Sequence, residues 1–268
     1  MNIMTACNSA YSFFLKLLAR SVRKFYGKPV ILYDLGLTRV EKDGVDAQIV
    51  SLEDVQIEWT GREIELDHQG NVISRHGAKI DFKDNLPAFF SRPRGIFKPF
   101  CVGHYFKHNS EPVIWVDVDT VFRERVEERG FDVGVTLRPK NEMRLDDQYW
   151  GLINAGVMFF NNYNKLVEAW IEDCKTEELS DQGVMNRLLS ETIDWEDEDI
   201  YGRVHDWQGV RVKVFDIQTY NDYHLRDGKI WHFKKGSKTP EDRKKWYEEQ
   251  VGKLDLSFLN TEGGEASK

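Results

Sequence analysis

The strongest constraint on the fold of this 268-residue chain is a short apolar run, Val113-Ile114-Trp115-Val116, that ends in Asp117-Val118-Asp119. An unbroken apolar run of that length reads as a buried strand. Two carboxylates one residue apart at its end repel each other unless a cation or a proton offsets them. A divalent metal meets that need, because paired carboxylate oxygens suit Mg²⁺ or Mn²⁺. Such an ion keeps open positions for water and for substrate phosphates. The pair therefore predicts phosphate chemistry on a metal, at the carboxyl-terminal edge of a sheet.

The chain before this strand supplies a βαβ start. Ile3 to Ala6 reads as a strand, Tyr11 to Tyr26 as a helix and Val30 to Asp34 as a second strand. That order favours an α/β class with a parallel sheet. Val45 to Leu52 fits either a helix or a strand end. Between Trp59 and Asp84, the runs around Ile64-Leu66 and Val72-Ile73 flank His68-Gln69-Gly70-Asn71, the pattern of a small inserted β-hairpin. Leu86 to Lys107 reads as helical after the break at Arg92-Pro93-Arg94, with Pro99 at a helix start or kink.

Further strands are expected at Val133-Thr136, Gly156-Phe160, Val210-Phe215 and Lys229-Phe233, with Asn154 either a plain turn residue before its strand or part of a motif that opens it. Leu166, Val167, Trp170, Ile171 and Cys174 make a core-facing helical stripe. Ser180 caps a helix that opens Asp181-Gln182, and Thr239-Pro240-Glu241-Asp242 marks another helix start. The acidic stretch Asp194 to Asp199 reads as a solvated loop. Residues 1–260 are expected to form one domain, with the hairpin at about 59–84 inserted, and residues 261–268 a disordered tail.

A formal net charge of −8 argues against a general nucleic-acid binder. Cys7, Cys101 and Cys174 are odd in number and show no CxxC, which fits a reduced, cytoplasmic setting. The stretch Tyr11 to Leu18 is too short to span a bilayer. Its apolar spacing (Phe14, Leu17, Leu18, Val22) predicts a helix packed on the core, with a peripheral membrane contact as the alternative.

The order of motifs after the first strand carries a resemblance. Lys98-Pro99 precedes the aspartate strand, and Asn154-Ala155-Gly156-Val157 opens a later one. Ser180-Asp181-Gln182-Gly183 opens a helix, Tyr220-Asn221 follows a strand, and Trp231-His232-Phe233 comes last with Gly236 and Lys238 after it. From Ile3 to Lys238 this order resembles the nucleotide-sugar glycosyltransferases of the GT-A fold, in the style of the glycogenin and lipopolysaccharide galactosyltransferase group, family 8. The resemblance implies a Rossmann-like α/β domain with a central mixed, mostly parallel sheet. It implies transfer of a hexose from a nucleotide diphosphate, expected to be UDP, to a hydroxyl acceptor such as a glycan. Asp117, Asp119 and His232 would hold Mn²⁺ (or Mg²⁺), with Asp117 shared with the ribose. Thr5, Ala6 and Asn8 would hold the base and ribose. Lys98 and Lys238 would steady the diphosphate or donor sugar, and Asn154 and Gly156 would line the sugar pocket. Asp181 and Gln182 would bond sugar hydroxyls beside the anomeric carbon, which makes them, with Asn154, the candidate catalytic residues.

The chain departs from that pattern after His232. Gly236 comes one position late, and Lys238 is not followed by Pro-Trp, so Lys234 or Lys235 stands as an alternative to Lys238. Taken singly, Lys98 reads as a surface lysine and His232 as a core histidine. Asp117-Val118-Asp119-Thr120-Val121 also resembles the nucleophile motif of haloacid-dehalogenase phosphatases, in which Asp117 would attack the phosphate and Mg²⁺ would be the metal. That motif belongs on the first strand of its domain, and two strand-like segments precede it here. A catalytically inactive nucleotide-sugar-binding protein is the third reading.

Overall fold

The computed structural model describes residues 1–51, 55, 63–66, 72–75, 97–138, 152–176, 180–195, 197, 199–234 and 239–259. The strands are β1 (Asn2–Cys7), β2 (Val30–Asp34), β3 (Ala47–Ser51), β4 (Glu63–Leu66), β5 (Val72–Arg75) and β6 (Val113–Val116). They continue with β7 (Thr120–Phe122), β8 (Val133–Leu137), β9 (Ile153–Phe160), β10 (Val204–Trp207), β11 (Val210–Asp216) and β12 (Ile230–His232). The helices are α1 (Leu15–Tyr26), α2 (Arg39–Lys42), α3 (Phe97–His108), α4 (Lys165–Thr176), α5 (Asp181–Ser190), α6 (Ile217–Tyr220) and α7 (Pro240–Val251).

Eight strands form one mixed sheet in the order β10-β11-β8-β9-β6-β1-β2-β3. Parallel pairing joins β1 to β2 and β6, β2 to β3, and β8 to β11. Strand β9 runs antiparallel to both β6 and β8, and the edge strand β10 runs antiparallel to β11. The central strands β6, β8 and β9 are buried at every position, as their unbroken apolar runs require. Apart from this sheet, β7 pairs with β12 in a two-stranded ribbon.

The helices cover both faces. On one face α3, α4 and α5 bury Cys101, Tyr105, Trp170 and Met185. On the other, α1, the β7–β12 ribbon and α7 bury Phe14, Leu18, Phe122, Phe233 and Tyr247. The apolar stripe of α1 thus faces the core, while Lys16, Arg20 and Arg23 are exposed. This helix ends at Gly27, whose φ of 66° is the left-handed conformation that glycine adopts without steric cost. Among the described residues no helix is long and apolar enough to cross a membrane.

Several expectations shift in detail. The first helix begins as a 3₁₀ turn over Ser9–Phe14, and only then becomes α-helical. The ambiguous segment at Val45–Leu52 is the edge strand β3, and β4 and β5 pair antiparallel as the expected hairpin. The helix foreseen from Leu86 is described only from Phe97, where Pro99 sits in the first turn and removes no intrahelical bond. Asn154 is not a turn residue, because it lies inside β9. The expected tail at 261–268 falls outside the described residues, as do Lys235, Gly236 and Lys238.

The main sheet carries one irregularity near its carboxyl-terminal edge. The β8–β9 register shifts between Val135, opposite Met158, and Thr136, opposite Asn154. The residues of β9 inside this bulge turn their backbone groups to other partners, as bulges commonly do. Asp117 N–H donates to Gly156 O at 2.7 Å.

Candidate functional site

The carboxyl ends of β1, β6, β8 and β11 converge with the amino-terminal half of β9 and the first turn of α5. Asp117 follows β6 directly, and Asp119 precedes β7. His232 lies opposite Thr120 in the β7–β12 ribbon, and Phe233 N–H donates to Asp119 O at 2.7 Å. Asp117, Asp119 and His232 each offer a ligand atom, all within 4.8 Å of one another. They form the only such group among the described residues. His232 Nε2 lies 3.1 Å from Asp119 Oδ1.

The two aspartates are held differently. The Asp119 side chain is 12% exposed and that of Asp117 is 30% exposed. Burial alone would raise the Asp119 carboxyl, but the His232 charge and hydrogen bond, with Arg243 beyond, hold it below the usual range. Asp117 Oδ1 pairs with Lys98 Nζ at 2.8 Å.

Lys98 is not the surface lysine that its sequence context suggests. It is 8% exposed and donates to Ala155 O at 3.0 Å, with Asp181 Oδ2 at 3.4 Å. Burial would strip its proton, yet the two carboxylates outweigh burial and keep it protonated. Asp181 is lifted above its ordinary value by burial, with Lys98 pulling the other way. Lys98 thus clamps Asp117, Asp181 and β9 together.

Helix α5 is docked by its own first turn. Ser180 Oγ accepts from Gly183 N–H at 3.0 Å, as the sequence cap implies. Trp170, stacked on Phe160, donates from Nε1 to Asp181 O at 2.8 Å. Gln182 Oε1 accepts from Ala155 N–H at 3.1 Å, so this oxygen ties α5 to β9. Asn154 Oδ1 accepts from Gly156 N–H at 2.9 Å. The buried Asn154 Nδ2 makes no hydrogen bond among the described residues, whereas Asp181 Oδ2 has the Lys98 ammonium at 3.4 Å, and a buried polar atom left like Asn154 Nδ2 marks a place built for a partner.

Gly156 has a structural reason for its lack of a side chain. A Cβ there would lie 2.6 Å from His232 Cε1 and 2.9 Å from Asn154 Oδ1. The glycine makes room for the imidazole, a role that its place in the motif does not disclose.

The first strand reaches the same edge. β1 pairs with β6 in parallel, with Met4 opposite Trp115, so Ala6 to Asn8 run on beside the aspartates. Ala6 is buried, Thr5 has no exposed surface, and neither Thr5 Oγ1 nor Asn8 Oδ1 finds a partner among the described residues. Beyond Asn8, Tyr11 carries the Arg243 guanidinium 4.7 Å from its ring centroid. The exposed Lys234 follows His232. Crowding by protein around its ammonium, and then the nearby Arg138, push it down to about 8.

The sequence singles out neither Thr136 nor Arg243, and it marks Asn221 without a task. Asn221 is fully buried. Its Oδ1 lies 2.7 Å from His232 Nδ1, and its Nδ2 donates to Thr136 Oγ1 at 3.0 Å. Only a folded sheet with its bulge brings these three residues together, so no local sequence signal marks them.

These residues fit a divalent cation. Two carboxylates, Asp117 and Asp181, face one buried ammonium, Lys98, and a third, Asp119, faces His232. Two carboxylate oxygens and one imidazole nitrogen form a donor set suited to Mn²⁺ more than to Mg²⁺.

No family model matches the sequence. No curated protein matches it either. Among solved structures, the chain is similar to an active-site mutant of LgtC, with a TM-score of 0.50 and 15% identity over 96% of this chain and 97% of that one. It is also similar to the galactosyltransferase LgtC in complex with donor and acceptor sugar analogs, with a TM-score of 0.49 and 16% identity over the same shares of the two chains. The first of these likenesses shows a shared fold, in line with the GT-A-like α/β architecture expected from the motif order.

Proposed function

We propose that the protein is a metal-dependent glycosyltransferase that moves a hexose from a nucleotide diphosphate, UDP, to a hydroxyl acceptor on a glycan. The observation that carries this reading is the convergence of Asp117, Asp119 and His232 within 4.8 Å at the carboxyl edge of the sheet. Open α/β sheets bind nucleotides at that edge. The motif order from Lys98 to His232, laid out on a sheet of the GT-A kind, supports the class of ligand.

In this reading Asp117, Asp119 and His232 hold Mn²⁺ (or Mg²⁺), and the ion supplies Lewis acidity where charge builds on the leaving diphosphate. The chain's own residues do the rest. Lys98 pairs with Asp117 and Asp181 and fixes both, so the carboxylates need no reorganisation as the reaction proceeds. Asn154 Nδ2, buried without a hydrogen bond among the described residues, and Asp181, held by Lys98, face sugar hydroxyls. Lys234 and Arg243, with Lys238, add positive charge where the diphosphate departs. Gln182 holds β9 against α5 and so keeps the pocket wall in register. Thr5, Ala6 and Asn8 border the nucleoside. The buried Cys7, Cys101 and Cys174 form no disulfide and suit a cytoplasmic setting.

No observation favours the phosphatase reading. That motif belongs on the first strand of its domain, whereas Asp117 follows β6, and β1 and β2 of the same sheet precede it in the chain. Nor does an inactive binding protein account for a complete ligand set.

The test is UDP-hexose turnover with Mn²⁺. Asp119→Ala is expected to lower it by at least ~10²-fold, with circular dichroism and thermal unfolding near wild type. Near-normal turnover in that variant, or phosphate-ester hydrolysis without any response to nucleotide sugars, refutes the reading.

A further inference from the structure

His232 can ligate a metal through Nε2 only if that nitrogen presents a lone pair, and so only if the ring proton sits on Nδ1. The buried chain behind the ring decides this. Thr136 Oγ1 has a single proton, and two carbonyl oxygens surround it: Asn154 O at 2.8 Å and Val157 O at 3.3 Å. A carbonyl can only accept, so the hydroxyl donates forward to the backbone of β9. Its oxygen is then the acceptor for the third neighbour, Asn221, at 3.0 Å. The Asn221 amide must therefore turn its NH₂ to Thr136 and its Oδ1 to His232 Nδ1, 2.7 Å away. An oxygen there accepts, so Nδ1 keeps its proton when the ring is neutral, and it is the Nε2 proton, bonded to Asp119 in the imidazolium, that is given up to leave a lone pair there.

We propose that Thr136 and Asn221 are positioning residues that fix the tautomer of His232 and thereby set the affinity of the site for a divalent cation. The proposal rests on the metal-dependent reading of the site, and deepens it. Thr136, Asn221 and His232 lie on three separate elements, β8, the end of α6 and β12, and all three are buried. The chain cannot borrow a proton from solvent or relax into it. Removing the partner behind a metal-bound histidine typically lowers metal affinity ~10–100-fold. Thr136 touches no proposed ligand, so an effect there travels through the Asn221 amide.

The experiment measures Mn²⁺ binding to the full chain by electron paramagnetic resonance, without donor, alongside thermal unfolding. His232→Ala is the reference for a lost ligand. Asn221→Ala is expected to weaken Mn²⁺ ~10–100-fold. Thr136→Val keeps the shape but frees the amide to turn, and is expected to weaken binding in the same direction. Asn221→Asp keeps an acceptor facing Nδ1 and is expected to restore binding to within a few-fold of wild type. A merely structural role would not produce that rescue. Long-range ¹H–¹⁵N spectra of the Zn²⁺-loaded wild type should place the His232 proton on Nδ1.

Wild-type Mn²⁺ affinity in Asn221→Ala and Thr136→Val, with affinity lost in His232→Ala, overturns the relay and leaves the metal centre standing. A proton on Nε2 in the loaded protein overturns it as well. If the wild type binds no divalent cation, the metal reading fails and the relay falls with it.

Discussion

Gly156→Ala adds one methyl group and should damage the proposed metal site by crowding a single ligand, His232. The added Cβ would sit 2.6 Å from His232 Cε1 and 2.9 Å from His232 Nδ1. To reach ordinary contact at 3.4 Å, the ring must retreat by roughly 0.8 Å, because repulsion inside that distance rises steeply. The ring has nowhere easy to go. Its Nδ1 is held at 2.7 Å by Asn221 and its Nε2 faces Asp119 at 3.1 Å. Retreat stretches one of these contacts or rotates the imidazole out of line. Overpacking of this kind costs about 1–3 kcal/mol in stability. The loss of a well-placed imidazole should weaken Mn²⁺ ~10–100-fold, or about 1.4–2.8 kcal/mol. A double-mutant cycle separates the ring from the rest of the pocket. Mn²⁺ affinity is measured for wild type, Gly156→Ala, His232→Ala and the double variant. With the imidazole gone, only the contact with Asn154 Oδ1 at 2.9 Å remains, so most of the penalty on metal binding should vanish and the coupling should approach the full ~1.4–2.8 kcal/mol. If Gly156→Ala costs the same in both backgrounds, or costs nothing in wild type, the glycine does not act through His232 and the reasoning is wrong.

The other predictions concern charge. Lys98→Met leaves Asp117 and Asp181 without their buried counter-charge and should destabilise the fold by about 3–5 kcal/mol at about pH 7 in urea unfolding. Asp181 is already lifted above 3.8 by burial, and loses its main restraint when Lys98 goes. A carboxyl raised in the folded state contributes stability at low pH that disappears as pH rises through its folded value. The deficit of Lys98→Met should therefore shrink between about pH 7 and about pH 4, and an equal deficit at both would contradict it. Glu41 has the opposite sign. Burial would raise it, but hydrogen bonds from Ser9, Thr38 and Ser12 hold it down from 4.5 to about 2. Its contribution is complete above 4.5 and is lost as pH falls towards 2. Glu41→Gln should thus lower the thermal midpoint near neutral pH, and the gap should close towards about pH 2.

Much of this fold can be read from the chain because the central strands are buried on both faces and so appear as uninterrupted apolar runs. Val113–Val116 and Gly156–Phe160 stand out for that reason. Helix starts are equally legible where a side chain does local work, as at Ser180 and Thr239, whose hydroxyls accept the first-turn N–H groups. Lys98 looks like a surface residue because its neighbours in sequence do not reveal its depth. Its three partners come from the end of β6, from β9 and from α5. Asn154 looks like a turn because asparagine is unfavourable in a strand, and the bulge that accommodates it follows from the pairing of two distant segments. The tasks of Gly156, Thr136 and Asn221 stay hidden for the same reason, since each depends on that shifted register.

The unequal treatment of the two aspartates follows from their second partners. An ammonium on Asp117 Oδ1 draws electron density from that carboxylate and fixes its direction, which makes it a weaker but well-aimed ligand. It also leaves the other oxygen, on a side chain that is 30% exposed, outside that pair. Asp119 instead faces an imidazole whose second nitrogen is committed to Asn221, so the two ligands are set from opposite ends by groups that cannot shift independently. Asp117 and Asp119 lie in the turn between β6 and β7, and their partners differ, Lys98 for one and His232 for the other. Each therefore needs its own anchor, and the clamp at Lys98 and the relay through Thr136 and Asn221 are those anchors. In that reading a site with three ligand side chains draws on α3, β6, β8, α5, the end of α6 and β12, and its charge balance rests on a lysine that reads, in the sequence, as an ordinary one.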